Sequence, residues 1–258
     1  PTPNDKAGKH AMISEKDAQK LRDTHYNARV IWTQHIHEDL CVIRVKQDGQ
    51  ILHYEPGQYA TLGLGYWEMR TEGTALESLT DANIRKLCKR PYSMSCPMLD
   101  DNNILLAPED CPFLEFYIVL IREAKKAAPS FTPRLFDLVL GDRLFVGPRA
   151  KGNYTLGNIA PTDTCIFVAT GTGGAPHNAM ISHLLKSQHA GRIVAIKCVR
   201  RARDLAYLAQ HRQLEKMYPS YQYLCLTTSE PHNLDTNHPN YVGKHYIQEV
   251  ISSGKFTE

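Results

Sequence analysis

The stretch Cys165-Ile166-Phe167-Val168-Ala169-Thr170-Gly171-Thr172-Gly173-Gly174-Ala175-Pro176 reads as an apolar strand that runs into a glycine-rich turn and opens a helix. Glycines at such a turn let the backbone approach a ligand closely. The N–H groups at the helix start, at the positive end of the macrodipole, favour a phosphate. Pro176 suits the first helical turn, where its missing N–H costs nothing. Neither common phosphate fingerprint fits: Pro176 stands where GxGxxG needs its third glycine, and no GK[ST] follows. A tight strand–helix turn without a ligand is the alternative reading.

Outward from this turn the chain has two characters. Downstream, strand and helix alternate: a helix from Pro176 to Gln188, a strand from Arg192 to Val199, a helix from Asp204 to Tyr218, a strand from Tyr221 to Thr227 and a helix from Tyr241 to Ser252, closed by Gly254. That rhythm implies parallel strands joined by helical crossovers. Upstream of residue 160, short β-rich runs cover Ala28–Trp32, Leu40–Val45, Tyr59–Leu64, Leu114–Ile121 and Asp142–Val146, punctuated by Pro56-Gly57, Gly141-Asp142 and Gly147-Pro148. Such spacing predicts a small antiparallel barrel or sandwich. Tyr66–Lys89, with a short helix near Asp81–Leu87, and Cys96–Pro112 read as insertions or loops.

Composition excludes several classes. The chain has 258 residues, 42% of them hydrophobic and 22% charged, which is ordinary globular usage. The net charge of +3 is too small for a nucleic-acid partner. No apolar run approaches the roughly 20 residues of an integral membrane segment. Pro1–Lys20 has no apolar signal-peptide region, and a chain starting at Pro1 reads as trimmed. Seven cysteines, with no CxxC, fit a reducing, cytoplasmic setting and exclude ferredoxin-type cluster spacing. Among twelve histidines, only His35-x-His37 resembles a metal pair, and no third ligand accompanies it; no metal site is expected.

Two upstream motifs can carry chemistry. In Arg90-Pro91-Tyr92-Ser93, an arginine can clamp a phosphate, a tyrosine can stack on a flat ring and a serine can bond a ring nitrogen. In Pro129-Ser130-Phe131-Thr132-Pro133-Arg134-Leu135, Ser130 or Thr132 can cap a short helix that meets a second phosphate, or simply cap it. Taken in order, these motifs resemble the ferredoxin–NADP(+) reductase family, bacterial type, over residues 26–255. Leu114–Ile121, Gly152-Asn153-Tyr154, Asp204-Leu205-Ala206-Tyr207 and Ser253-Gly254-Lys255 also match its pattern.

The resemblance implies an antiparallel FAD-binding β-barrel over 26–158, after a polar extension 1–25. A doubly wound parallel α/β nucleotide-binding domain follows over 159–258, truncated at its C-terminus. It implies a flavoenzyme that moves electrons between NADP(H) and ferredoxin or flavodoxin. Arg90 and Pro91 would lie at the FAD pyrophosphate, with Tyr92 and Ser93 as the catalytic pair at the isoalloxazine. Tyr117, Val119 and Ile121 would line the flavin, and Ser130 and Thr132 would face the pyrophosphate. Gly171, Thr172, Gly173 and Gly174 would face the flavin and the nicotinamide side. Arg200, Arg201, Ser229 and Lys244 would form the 2′-phosphate end.

Three departures from the pattern shape the alternatives. Pro129 replaces a glycine after a longer loop. Thr228-Ser229-Glu230-Pro231 lacks the usual arginine. The chain stops before the family's Cys-Gly-Asn/Asp-Pro motif. The missing arginine keeps NAD(H) and an NADH-dependent, oxygenase-type reductase open. The missing motif keeps open a non-catalytic flavin-binding module.

Overall fold

The computed structural model describes residues 13–243 and 246–252. Of the predicted helix 241–252, Ile247–Ser252 is helical, and Lys244 and Ser253–Lys255 lie outside the described residues. The polar extension contains a helix that its composition conceals. Helix α1 (Glu15–His25) is capped by Ser14, whose Oγ accepts the Asp17 N–H at 3.1 Å. Glu15 and Asp17 occupy its first turn and Arg22 and His25 its last, the charge order the helix dipole favours.

Six antiparallel strands follow: β1 (Ala28–His37), β2 (Leu40–Gln47), β3 (Tyr59–Gly65), β4 (Leu87–Ser93), β5 (Leu114–Val119) and β6 (Arg143–Val146). Their order is β4-β3-β6-β1-β2-β5, and a bridge between Ser95 and Glu115 joins the two ends into a barrel. Helix α2 (Asp81–Ile84) sits in the 66–86 connection, and α3 (Thr132–Phe136) covers the barrel after β5. Phe116, Ile118, Ile43, Val45, Leu62 and Leu144 fill the interior.

Strands β2 and β5 read as nearly continuous apolar runs because both their faces are buried. Cys41, Ile43 and Val45 point into the barrel, while Leu40 and Val42 join the core of the second domain. Along β5, Phe116 and Ile118 point inward and Tyr117 outward to that second core.

The second domain is a parallel sheet in the order β7 (Cys165–Thr170), β8 (Ile193–Val199), β9 (Tyr221–Thr227). Helices α4 (Ala175–Lys186) and α5 (Leu208–Met217) pack on the face turned toward the barrel. The short helices α6 (Pro231–Leu234) and α7 (Ile247–Ser252) follow, with Ile247 on the opposite face against Val194, Ile196 and Cys198. The predicted helix 204–218 is split: Ala202–Asp204 is a 3₁₀ turn, and the α-helix begins only at Leu208. The Asp204 carboxylate accepts the Arg201 N–H and so closes that turn on its own N-cap.

The seam between domains is tight at Gly57, whose φ is +103°. A Cβ there would collide with the Tyr154 carbonyl and the Met180 side chain, so the turn 55–58 fits beneath the second domain only as glycine. Gly57→Ala is expected to cost about 2–4 kcal/mol, read as a lower urea midpoint. An unchanged midpoint would mean that the seam is not packed this way.

Candidate functional site

The C-terminal ends of β7, β8 and β9 open into a cleft of about 470 Å³. Thr170, Gly171 and Thr172 line it from the first strand and turn, Cys198, Val199 and Arg200 from the second, and Thr228 from the third. The opposite wall belongs to the barrel: His37, Asp39 and Leu40 with Tyr117 and Val119. Open α/β sheets bind ligands in this place, outside the carboxyl ends of their strands.

The glycine turn is shaped for an approaching molecule. Residues Gly171–Gly174 form a 3₁₀ turn leading into α4, with Gly171 at φ +49°. A Cβ on Gly171 or Gly173 would meet nothing within 4 Å, so their outer face is open. Gly174 faces inward, where a Cβ would strike the Lys197 ammonium. That lysine rises from the middle of the buried strand β8, donates to the Gly171 carbonyl, and lies 5.3 Å from the centre of the Tyr117 ring.

Among the described residues no carboxylate pairs with Lys197, and burial lowers its pKa to about 8. Burial also holds His177, reinforced by Lys197, at about 4 and His211 at about 3. Both rings are therefore neutral at pH 7. The His177 Nε2 meets the Tyr154 hydroxyl at 2.8 Å, and the His211 ring stacks on Tyr223 at 4.1 Å.

Arg200 and Arg201 are exposed, and neither has an ion-pair partner among the described residues. Ser229 lies beside them: its N–H donates to the Arg200 carbonyl at 2.8 Å. A phosphate at this rim would meet two free guanidinium groups. The Ser229 side chain adds no charge.

Arg90, Pro91, Tyr92 and Ser93 all lie on β4, paired with Leu62, Thr61, Ala60 and Tyr59 of β3. Arg90 is exposed and makes no ion pair among the described residues; its guanidinium donates only to the Lys89 carbonyl. Tyr92 is half-buried, with its ring centre 5.6 Å from that of Phe131. This contact brings the Arg90–Ser93 strand beside the Ser130–Thr132 segment. Tyr117 and Val119 line the cleft at the strand ends, and none of Arg90, Tyr92 or Ser93 does.

The expected capping role of Ser130 or Thr132 does not occur. Phe131 is the N-cap of α3, without a side-chain cap. The Thr132 Oγ1 accepts the Ile121 N–H at 3.3 Å, which ties the end of the β5 segment to α3.

The residue set fits a dinucleotide in the cleft and a flavin on the barrel. The turn offers open glycines and backbone N–H groups, and Arg200 and Arg201 offer free cations. On the barrel, Arg90 is an unpaired cation beside the aromatic Tyr92 and the unengaged Ser93 hydroxyl. No group of three or more metal-ligating side chains is present among the described residues, and no described helix is long and apolar enough to cross a membrane.

Sequence reasoning did not find Lys197, His177, Asp204 or Tyr207. Lys197 had a signal, a charge inside the apolar run Ile193–Val199. Tyr207 had only a motif match.

Comparison with known proteins agrees with this geometry. Residues 167–257 match the family described as the oxidoreductase NAD-binding domain. Ferredoxin–NADP reductase A of Sorangium cellulosum is 34% identical over 94 residues, 36% of this chain and 32% of that protein. The flavodoxin/ferredoxin–NADP reductase of Escherichia coli is 32% identical over 109 residues, 42% of each. The chain thus spans about a third to two-fifths of the curated relatives it matches. In three dimensions it superposes on a ferredoxin–NADP+ reductase from Neisseria gonorrhoeae, solved with bound FAD and NADP. The TM-score is 0.65 at 16% identity, covering 89% of this chain and 76% of that one. The fold is that of the ferredoxin–NADP+ reductases.

The buried lysine yields a pH signature. Between about 8 in the folded chain and its ordinary 10.5, the unfolded state binds more protons, so stability rises with pH over that window. The stability of wild type minus that of Lys197→Met should therefore grow by about 3 kcal/mol from the bottom to the top of the window in urea titrations. A difference independent of pH would show the ammonium to be hydrated.

Proposed function

We propose that the chain is the catalytic framework of a ferredoxin–NADP+ reductase-type flavoenzyme, with FAD on the barrel and NADP(H) in the cleft. One observation carries the reading: the open glycine turn and the unpaired Arg200, in the stretch that matches an oxidoreductase NAD-binding domain, face a barrel wall across a single cleft, with the exposed Arg201 next in sequence. FAD held by Arg90, Tyr92 and Ser93 would supply the chemistry the protein's own side chains lack, hydride acceptance and one-electron transfer toward ferredoxin or flavodoxin.

The protein's part is position and electrostatics. Arg90 neutralises the flavin pyrophosphate, and Ser130 and Thr132 lie beside it. Tyr92 gives the isoalloxazine an aromatic face, and burial raises its phenol pKa, so the ring stays neutral. Ser93 offers a hydroxyl near N5. In the cleft, the N–H groups of the 171–174 turn meet the nucleotide's pyrophosphate. Lys197 fixes the Gly171 carbonyl inward, leaving the opposite face of the turn to the ligand. Arg200 and Arg201 take the 2′-phosphate.

NADPH is favoured over NADH on this reading, because two free arginines stand at the rim even though Ser229 replaces the usual third. The setting is the cytoplasm, as the cysteine usage implies. The oxygenase-type NADH reductase and the flavin-binding module are the alternatives the following test separates.

Anaerobic addition of NADPH to the purified yellow protein should bleach its visible absorption, and NADH should do so far less efficiently. Arg200→Ala should raise the KM for NADPH about tenfold and leave that for NADH within about twofold. Bleaching by NADH alone would favour the oxygenase-type reading. Bound flavin that neither nucleotide bleaches would favour the binding module.

A further inference from the structure

The connection between β3 and β4, residues 66–86, takes no part in the function proposed above. We propose that residues 66–77 form an adenylate clasp that makes the barrel select FAD over FMN. This inference rests on the flavin reading, and in particular on a pyrophosphate near Ser130 and Thr132.

The segment is bonded to the loop that reading assigns to the pyrophosphate. Arg70 Nη2 donates to the Pro129 carbonyl at 2.9 Å and to its own segment's Ala75 carbonyl at 2.8 Å. The Thr71 N–H and Oγ1 both donate to the Pro133 carbonyl, at 2.9 and 3.0 Å. Arg134, on α3 and only 2% exposed, has its ion pair with Glu77 at 2.8 Å and donates to the Ser130 and Tyr66 carbonyls. Ala75 N–H donates to the Arg122 carbonyl, and Arg122 returns a bond to the Glu72 carbonyl. The carbonyls of Pro129 and Pro133 are thus held by the clasp itself, and that of Ser130 by Arg134 of α3, the residue that the clasp's Glu77 pairs.

Charge makes this attachment obligatory. Glu77 is the carboxylate paired with the buried Arg134 among the described residues, and lifting the clasp away would strand that guanidinium. The clasp also answers a departure read in the sequence. Where the family pattern has a glycine-bearing loop, this chain has the longer, exposed stretch 123–128 followed by Pro129. Arg70 holds that altered loop.

A second observation points to a ligand. The same segment walls a cleft of about 500 Å³ together with α1 and α3. Arg134 Nε and Trp67 Nε1, on residues that line it, are buried and have no hydrogen-bond partner among the described residues. Met69 and Leu76 give it an apolar rim. A flat adenine ring, rich in acceptor nitrogens, suits a cleft with an apolar edge and two unsatisfied donors buried just behind its wall. FMN ends at its single phosphate and reaches neither the held loop's far side nor this cleft.

The test is flavin binding rather than turnover. The full chain, stripped of flavin, is titrated with FAD and with FMN while flavin fluorescence is followed. Wild type should prefer FAD. Arg70→Met should weaken FAD about tenfold and leave FMN unchanged, collapsing the preference. Thr71→Val, which removes one hydroxyl, should shift FAD alone in the same direction and serves if Arg70→Met does not fold. Equal weakening of both flavins, no change in either, or a wild type that binds FMN as tightly as FAD would overturn the clasp and leave the flavin reading standing. A wild type that binds neither flavin would overturn the flavin reading itself.

Discussion

A single buried carboxylate, Glu115, joins the two halves of the molecule. It is 2% exposed, on strand β5 of the barrel, and its partners come from both domains. Arg44 of β2 donates to one oxygen at 2.9 Å, and the Tyr207 hydroxyl of the second domain donates to the other at 2.9 Å. Tyr207 also meets the Ser95 hydroxyl at 3.3 Å, and Asn178 of α4 donates to that same Ser95 oxygen at 3.0 Å. Burial pushes the Glu115 carboxyl upward in pKa, against the pull of Arg44. Such a network is favourable only while every member is satisfied. Parting the domains would leave the carboxylate with its barrel partners alone and open Ser95 and Asn178 to water.

The cleft inherits its shape from that constraint. Tyr117, two residues along β5, donates to the Asp204 carbonyl at 2.7 Å and packs edge-on against Tyr207 at 5.4 Å. His37, at the end of β1, meets the Asp204 carboxylate at 3.1 Å. These contacts hold the barrel wall of the cleft against the 3₁₀ turn that precedes α5. A hydride donor and its acceptor need a fixed approach. Here a rigid seam supplies it, with ligand-binding groups on the strand ends and turns that the seam positions.

The local chemistry of the sequence carried most of this fold. The strand–turn–helix at 165–176 and the strand at Tyr221–Thr227 lie where periodicity puts them. Helix α1 was hidden because its cap and charge order operate in a segment almost without apolar residues, with Ala18 its one buried side chain. The helix after β8 was drawn too long because the spacing of Leu205 and Leu208 mimics a continuous turn, whereas Asp204 caps locally. The resemblance assigned Ser130 and Thr132 to a phosphate, but the contacts that shape their loop come from residues 66–77, far away in sequence. Glu115 lies within the apolar run Leu114–Ile121, yet nothing local in the sequence marks Tyr207 as its partner across the seam.

The account's central claim is that the buried network makes the two domains one mechanical body. Trp67 packs on the barrel core while Trp32 packs against the core of the second domain, so in a Trp32→Phe background the remaining Trp67 fluorescence reports the barrel half alone. Amide exchange of β8 reports the other. Followed together through a urea titration, the two signals should give one coincident transition with Glu115 in place and two separated transitions in Glu115→Ala. Two transitions with Glu115 in place, or coincidence that survives its substitution, would contradict the claim.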